Sequence, residues 1–161
     1  MGRHRETYWY ALKVFFGRTG LLKKDFALKR YQTFSTPVVP SLLFVRCTAA
    51  FLQKYKFENW DRFMYYTEAG SKLPGRVEDH EMEIFMKATS AVNAGEAEFL
   101  GCDTEKYAVG DKVRITQGQY KGYEGYIRRI KHDRKLLVMI SGVAVVAFSN
   151  IDPDSVERIA E

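Results

Sequence analysis

Hydrophobic positions along this chain change their spacing from segment to segment, and each spacing predicts an element. Residues 8–16, TyrTrpTyrAlaLeuLysValPhePhe, are apolar almost without interruption, the pattern of a strand covered on both faces, and Gly17 closes it. From Thr19 to Tyr31, Leu22 and Phe26 fall near helical spacing with Leu21 and Leu28 beside them. Lys23, Lys24, Lys29 and Arg30 take the other sides, which predicts a short amphipathic helix. Thr36 to Pro40 reads as a turn-prone break and Leu42 to Cys47 as the next strand. Thr48 is a natural cap for a second helix over 48–55. Arg62 to Thr67 predicts another strand, residues 68–75 a hairpin loop, and residues 76–89 a third helix. The stripe of that helix is Val77, Met82, Phe85 and Met86, with acidic residues early, where the helix dipole favours them.

After Ala91 the periodicity fades. Residues 94–106 are acidic and contain Gly95 and Gly101, the texture of a linker. From residue 107 a period of two takes over: Val113 and Ile115 fall on one face, Lys112, Arg114 and Thr116 on the other. Gly118, Gly122 and Gly125 follow, interleaved with Tyr120 and Tyr123. Their spacing suits a tight turn with positive φ and then a close approach of two backbones. LysLeuLeuValMetIle at 135–140, a SerGly break at 141–142, ValAlaValValAlaPhe at 143–148 and SerValGluArgIle at 155–159 complete a set of short strands. The expected architecture is an α+β domain over residues 1–93, with helices on an antiparallel sheet. A linker over 94–106 and a small all-β barrel over 107–161 follow.

Composition narrows the function classes. With 46% hydrophobic and 14% aromatic residues in 161, the chain can bury a core and is no disordered tail. Residues 1–95 carry 15 Lys and Arg against 9 Asp and Glu, so the front is modestly basic, either a solvated surface or a contact for DNA or RNA. No apolar run is long enough to span a membrane, and Lys13 interrupts the early apolar stretch that a signal peptide would need. The expected location is cytoplasmic.

Catalytic chemistry finds no local constellation. Cys47 and Cys102 lack a CxxC partner and the three histidines stand far apart, so neither a metal site nor a cofactor motif is legible. The glycine cluster matches neither GxGxxG nor GxxxxGK[ST], and no helix pattern follows it to hold a phosphate. GluAspHisGluMetGlu at 78–83 is the best acid/base candidate, but on a helix those carboxylates spread around the axis. The expectation is a protein that is not an enzyme.

Two motifs carry a family resemblance. The string GDKVRITQGQYKGYEGYI at 110–127, with the strands and ValGluArg that follow, resembles the KOW motif in the SH3-like C-terminal domain of NusG-type transcription factors. TrpTyrAlaLeuLysVal at 9–14 and ValProSerLeuLeuPheVal at 39–45 resemble the opening strand and the PheProGlyTyrValPheVal-like segment of that family's N-terminal domain. Both occur in the family's order. Ribosomal KOW proteins have no need of the N-terminal pair, and a ribosome-associated or other RNA-binding KOW protein is the second reading.

The resemblance implies a mechanical role. The N-terminal domain would dock an apolar depression on the clamp helices of the largest RNA polymerase subunit, through Trp9, Tyr10, Val39, Pro40, Leu42 and Phe44. Tyr120, flanked by Gly118 and Gly122, matches an aromatic that meets a second partner, Rho or a small-subunit ribosomal protein. Lys23, Lys24, Lys29 and Arg30 are candidates for DNA or RNA contact in the elongation complex. Val39, Ser41 and Leu42 stand where family members often have Phe, Gly and Tyr, and residues 143–148 replace a PheGlyArgXaaThrPro-like segment. The interval between the first helix and Pro40 is short for the family, implying that a strand and a loop are trimmed. These departures point to a specialised bacterial paralog.

Overall fold

The computed structural model describes residues 6–68, 70–101, 110–118, 120–130, 133–140, 144–149 and 152–159 of the chain. It is a mixed α/β protein with two antiparallel sheets and three helices among those residues, and it divides into two compact units, 1–82 and 83–161.

In the first unit, β1 (Tyr8–Val14) lies at the centre of a five-stranded sheet that also contains β2 (Gln32–Thr36), β3 (Val39–Cys47), β4 (Phe63–Tyr65) and β5 (Arg76–Val77). The order is β2-β3-β1-β4, with β5 also pairing with β1. The apolar run of β1 is explained by this central place: Trp9, Tyr10, Ala11, Leu12 and Val14 are all buried. Helices α1 (Thr19–Leu28) and α2 (Ala49–Glu58) supply the side chains on one side of the core, where Leu22, Phe26, Leu52 and Tyr55 join Tyr10, Leu12, Val14, Leu43, Val45 and Phe63. The Thr48 hydroxyl accepts from the Phe51 N–H at 3.1 Å, the expected cap. The Tyr55 hydroxyl donates to Asp25 Oδ2 at 2.5 Å and ties the two helices together.

Two readings of this half change. A strand is present between α1 and Pro40, because β2 forms a hairpin with β3 and places Phe34 opposite Phe44. Helix α3 (Asp79–Asn93) begins three residues later than its apolar stripe suggests, since Val77 is used in β5, buried opposite Trp9. The two compact units divide inside α3, between Met82 and Glu83.

In the second unit six strands run in the order β11-β7-β8-β9-β10-β6. They are β6 (Ala97–Gly101), β7 (Lys112–Ile115), β8 (Glu124–Ile130), β9 (Asp133–Ile140), β10 (Ala144–Phe148) and β11 (Val156–Arg158). Strand β6 corrects the expected linker: within 94–106, residues 97–101 pair with β10, and Leu100 packs against Leu137, Val145 and Ala147. That pairing is remote in sequence, so no local pattern announces it. The last strand forms at the residues expected and pairs with β7, but it does not close the expected barrel: β11 and β6 stand at opposite ends of the sheet, which is open among the described residues. The SerGly break at 141–142 and Cys102 lie outside the described residues. No helix among the described residues is long and apolar enough to cross a membrane.

Candidate docking face and partner loop

Residues directly opposite one another in an antiparallel pair share a face. The register Trp9↔Arg46, Ala11↔Phe44, Lys13↔Leu42, Phe34↔Phe44, Trp9↔Val77 and Lys13↔Met64 therefore defines the sheet face away from α1 and α2. Its centre is apolar: Trp9, Ala11, Leu42, Phe44 and Val77, with the Phe34 and Phe44 ring centroids 6.5 Å apart. Its margin toward β4 carries Lys13 and Met64, both exposed, beside a shallow cavity of about 320 Å³ that Tyr65 and Tyr66 also line.

The six N-terminal candidates therefore separate. Trp9, Leu42 and Phe44 share this face, and all three are buried. Tyr10 points the other way, into the helix-covered core, where burial raises its phenol pKa. Val39 lies past a register shift, buried and paired with Thr36. Pro40 is exposed, and its carbonyl accepts the Thr19 hydroxyl at 2.7 Å, joining the start of α1 to β3. Phe34 and Met64 were not legible in the sequence. One lies in a strand whose pattern is polar, the other on a three-residue strand.

The basic candidates separate too. Lys23 Nζ donates to Ser35 Oγ at 2.9 Å and is tethered to β2, whereas Lys24, Lys29 and Arg30 are exposed. In the acidic stretch 78–83, Asp79 pairs with Arg46 at 2.5 Å.

In the second unit the glycines perform their expected tasks. Gly118 and Gly122 hold φ of 91° and 93° in the turn between β7 and β8. A Cβ on Gly125 would lie 2.1 Å from the Leu137 carbonyl oxygen, so only glycine lets β8 approach β9 this closely. Tyr120 folds back from the turn: its ring centroid is 4.7 Å from that of Phe148 and 5.5 Å from that of Tyr123. Its hydroxyl donates to Glu96 Oε2 at 2.7 Å. Burial first, and then this carboxylate acceptor, push the Tyr120 phenol up to about 12. The buried Tyr123 phenol is also pushed up to about 12, chiefly by burial.

Among solved structures, this fold is similar to one described as "Domain interaction in Thermotoga maritima NusG". The match covers 96% of this chain and 98% of that one, with a TM-score of 0.55 and 17% sequence identity. No family model and no curated protein matches the sequence. The likeness establishes a NusG-like fold along nearly the whole chain.

Proposed function

We propose that this chain is a NusG-type transcription factor. Its first unit would dock on the clamp helices of the largest RNA polymerase subunit, and its second, as an SH3-like KOW domain, would engage Rho or a small-subunit ribosomal protein. The observation that carries this reading is the agreement between a chain-long fold likeness and two sequence motifs in the same order. The docking surface is the face bearing Trp9, Leu42 and Phe44, extended by Lys13 and Met64; an apolar sheet face of this kind suits an amphipathic helix anchored by a few buried side chains. Because the three central side chains are buried in this structure, docking requires that face to open. Tyr120 is engaged with Glu96 and Phe148, so its use by a partner requires release of those contacts.

The test mixes the purified full chain with core RNA polymerase and, separately, with ribosomes. Stable association with polymerase is expected. Met64→Glu and Lys13→Glu, on exposed positions of that face, should each weaken it about tenfold without changing the fold. Salt-sensitive binding to ribosomes or RNA with none to polymerase would overturn the proposal in favour of an RNA-binding KOW protein.

A further inference from the structure

Two tight turns meet in the first unit, one leading out of β1 and the other leading from α2 into β4. In the first, the Arg18 N–H donates to the Phe15 carbonyl at 3.3 Å, with Phe16 and Gly17 at the tip. In the second, the Arg62 N–H donates to the Asn59 carbonyl at 3.0 Å, with Trp60 and Asp61 at the tip. The Phe15 N–H donates to the Arg62 carbonyl at 2.8 Å and fastens one turn to the other, and an ion pair between Arg18 and Asp61, 3.8 Å long, bridges them again. Lys56 Nζ donates to the Trp60 carbonyl and Asn59 Nδ2 to the Tyr55 carbonyl, each at 2.9 Å, so the second turn is also held to α2.

These braced tips hold aromatic rings in water. Phe16 is 87% exposed and Trp60 73%, and Phe57, three residues before Trp60 in the last turn of α2, is 82% exposed. Phe16 is also strained. Its φ is 56° and that of Gly17 is 68°, the paired left-handed residues of a type I′ turn, where Asn or Asp before Gly is the usual choice. A bulky residue kept at such a φ and left exposed helps neither the backbone nor the core, which marks it as part of a contact surface.

Charge narrows what covers that surface. Residues 15–18 and 56–62 carry Arg18, Lys56 and Arg62 against Glu58 and Asp61, and the Lys56 ammonium is turned onto the Trp60 and Phe63 carbonyls. A nearly neutral patch has little to hold a polyanion or an anionic membrane. It suits an apolar surface that carries one cation and one acid of its own. A two-fold axis supplies one, because it sets a surface against itself so that position i meets j and j meets i. Arg18 and Asp61 touch within the chain through a single long contact, which leaves guanidinium donors and carboxylate lone pairs for a second partner. The three aromatic side chains expose roughly 500 Å² per copy, and a pair burying about twice that falls at the small end of specific interfaces, so its association is weak and reversible.

We infer that this patch joins two copies of the chain about a two-fold axis, with Phe16 and Trp60 of each copy packed against those of the other and Arg18 facing the partner's Asp61. The pairing uses turn tips, extends no sheet and closes at two copies. It stands apart from the proposed function and does not depend on it.

The experiment follows the full chain by sedimentation velocity from about 5 to about 300 µM, a range that brackets the micromolar association of a small interface. The average mass should rise with concentration from one chain towards two. Of the two tryptophans Trp9 is buried and Trp60 exposed, so tryptophan emission should move to shorter wavelength over the same range as water leaves Trp60. Trp60→Ser should weaken association about tenfold. Phe16→Gly should weaken it about fivefold while raising the melting temperature of the dilute protein, because it relieves the left-handed strain. Arg18→Asp and Asp61→Arg should each weaken it about fivefold alone, by setting like charges across the axis. Mixed in equal amounts, those two variants should associate with each other and recover the loss.

Sedimentation as a single chain throughout the range overturns the inference; if that single chain binds phosphatidylcholine vesicles, the face belongs to a lipid surface instead. Association that survives both Trp60→Ser and Phe16→Gly also overturns it, as does a mixture of the two charge variants that associates no better than either alone. Should either aromatic variant fail to fold, the mixture of charge variants decides, since both of its positions lie at the surface.

Discussion

The Tyr120 hydroxyl rests 2.7 Å from Glu96 Oε2, joining the turn after β7 to the residue just before β6 across 24 positions of sequence. With Phe148 against the ring, this makes Tyr120 a cover over the core of the second unit. Tyr120→Ala should therefore destabilise the chain by about 2 kcal/mol, through lost aromatic packing and the lost hydrogen bond. A thermal melt should show the transition assigned to this unit lowered by several degrees. Tyr120→Phe, which keeps the ring, should lower it by less than half as much.

Alkaline titration reads the same region. Tyr120 and Tyr123 both have phenols raised from the ordinary value of 10.0 to about 12 in the folded chain. The unfolded state therefore loses these protons first, and the stability they contribute is complete below pH 10 and declines as pH climbs from about 10 to 12. Denaturant melts at pH 8, 10 and 11.5 should show stability falling across the last interval. The fall should be shallower in Tyr120→Phe.

Gly125 offers the sharpest structural test. Gly125→Ala would drive its methyl into the Leu137 carbonyl, whose oxygen stands 2.1 Å away, and should cost about 3 kcal/mol or unfold the unit. Gly118→Ala meets no atom within 4 Å and strains only a left-handed backbone, so about 1 kcal/mol is expected. Equal chemical-denaturation midpoints for the two variants would contradict this close approach.

Cys47 is buried, and burial pushes its thiol up to about 12. A thiol so held has almost no thiolate at neutral pH. In a Cys102→Ser background, native protein at pH 8 should resist a maleimide or disulfide reagent for hours, and label rapidly once unfolded in guanidinium.

What the sequence reveals depends on how local each signal is. The glycine-punctuated turn, the Thr48 cap and the buried run of β1 are written in neighbouring residues, and they appear where their spacing places them. Strand β6 is written partly in β10, more than 40 residues later, so its five residues look like an acidic spacer until their partner is known. At the candidate docking face, Trp9 and Phe44 were legible, but the register that sends Tyr10 to the opposite side depends on β3 and on helices remote in the chain. Leu42 illustrates the consequence. It is only 2% exposed, so Leu42→Asp would bury a carboxylate and unsettle the fold, and the exposed Met64 is the cleaner probe of binding.

The order β11-β7-β8-β9-β10-β6, open among the described residues, bears on how this protein behaves in a crowded solution. A terminal strand offers its unused N–H and C=O groups to any other chain, the first step of edge-to-edge aggregation. Both ends are blunted. Strand β11 is three residues long and carries Glu157, paired with Arg114, and Arg158, paired with Asp111. Strand β6 is interrupted by a bulge opposite Val145 and Val146, ends on Gly101 with φ of 123°, and presents Glu98, paired with Lys135. A sheet that leaves its margins open yet keeps them short, bent and charged can remain monomeric at concentrations where a flat apolar margin would seed fibres.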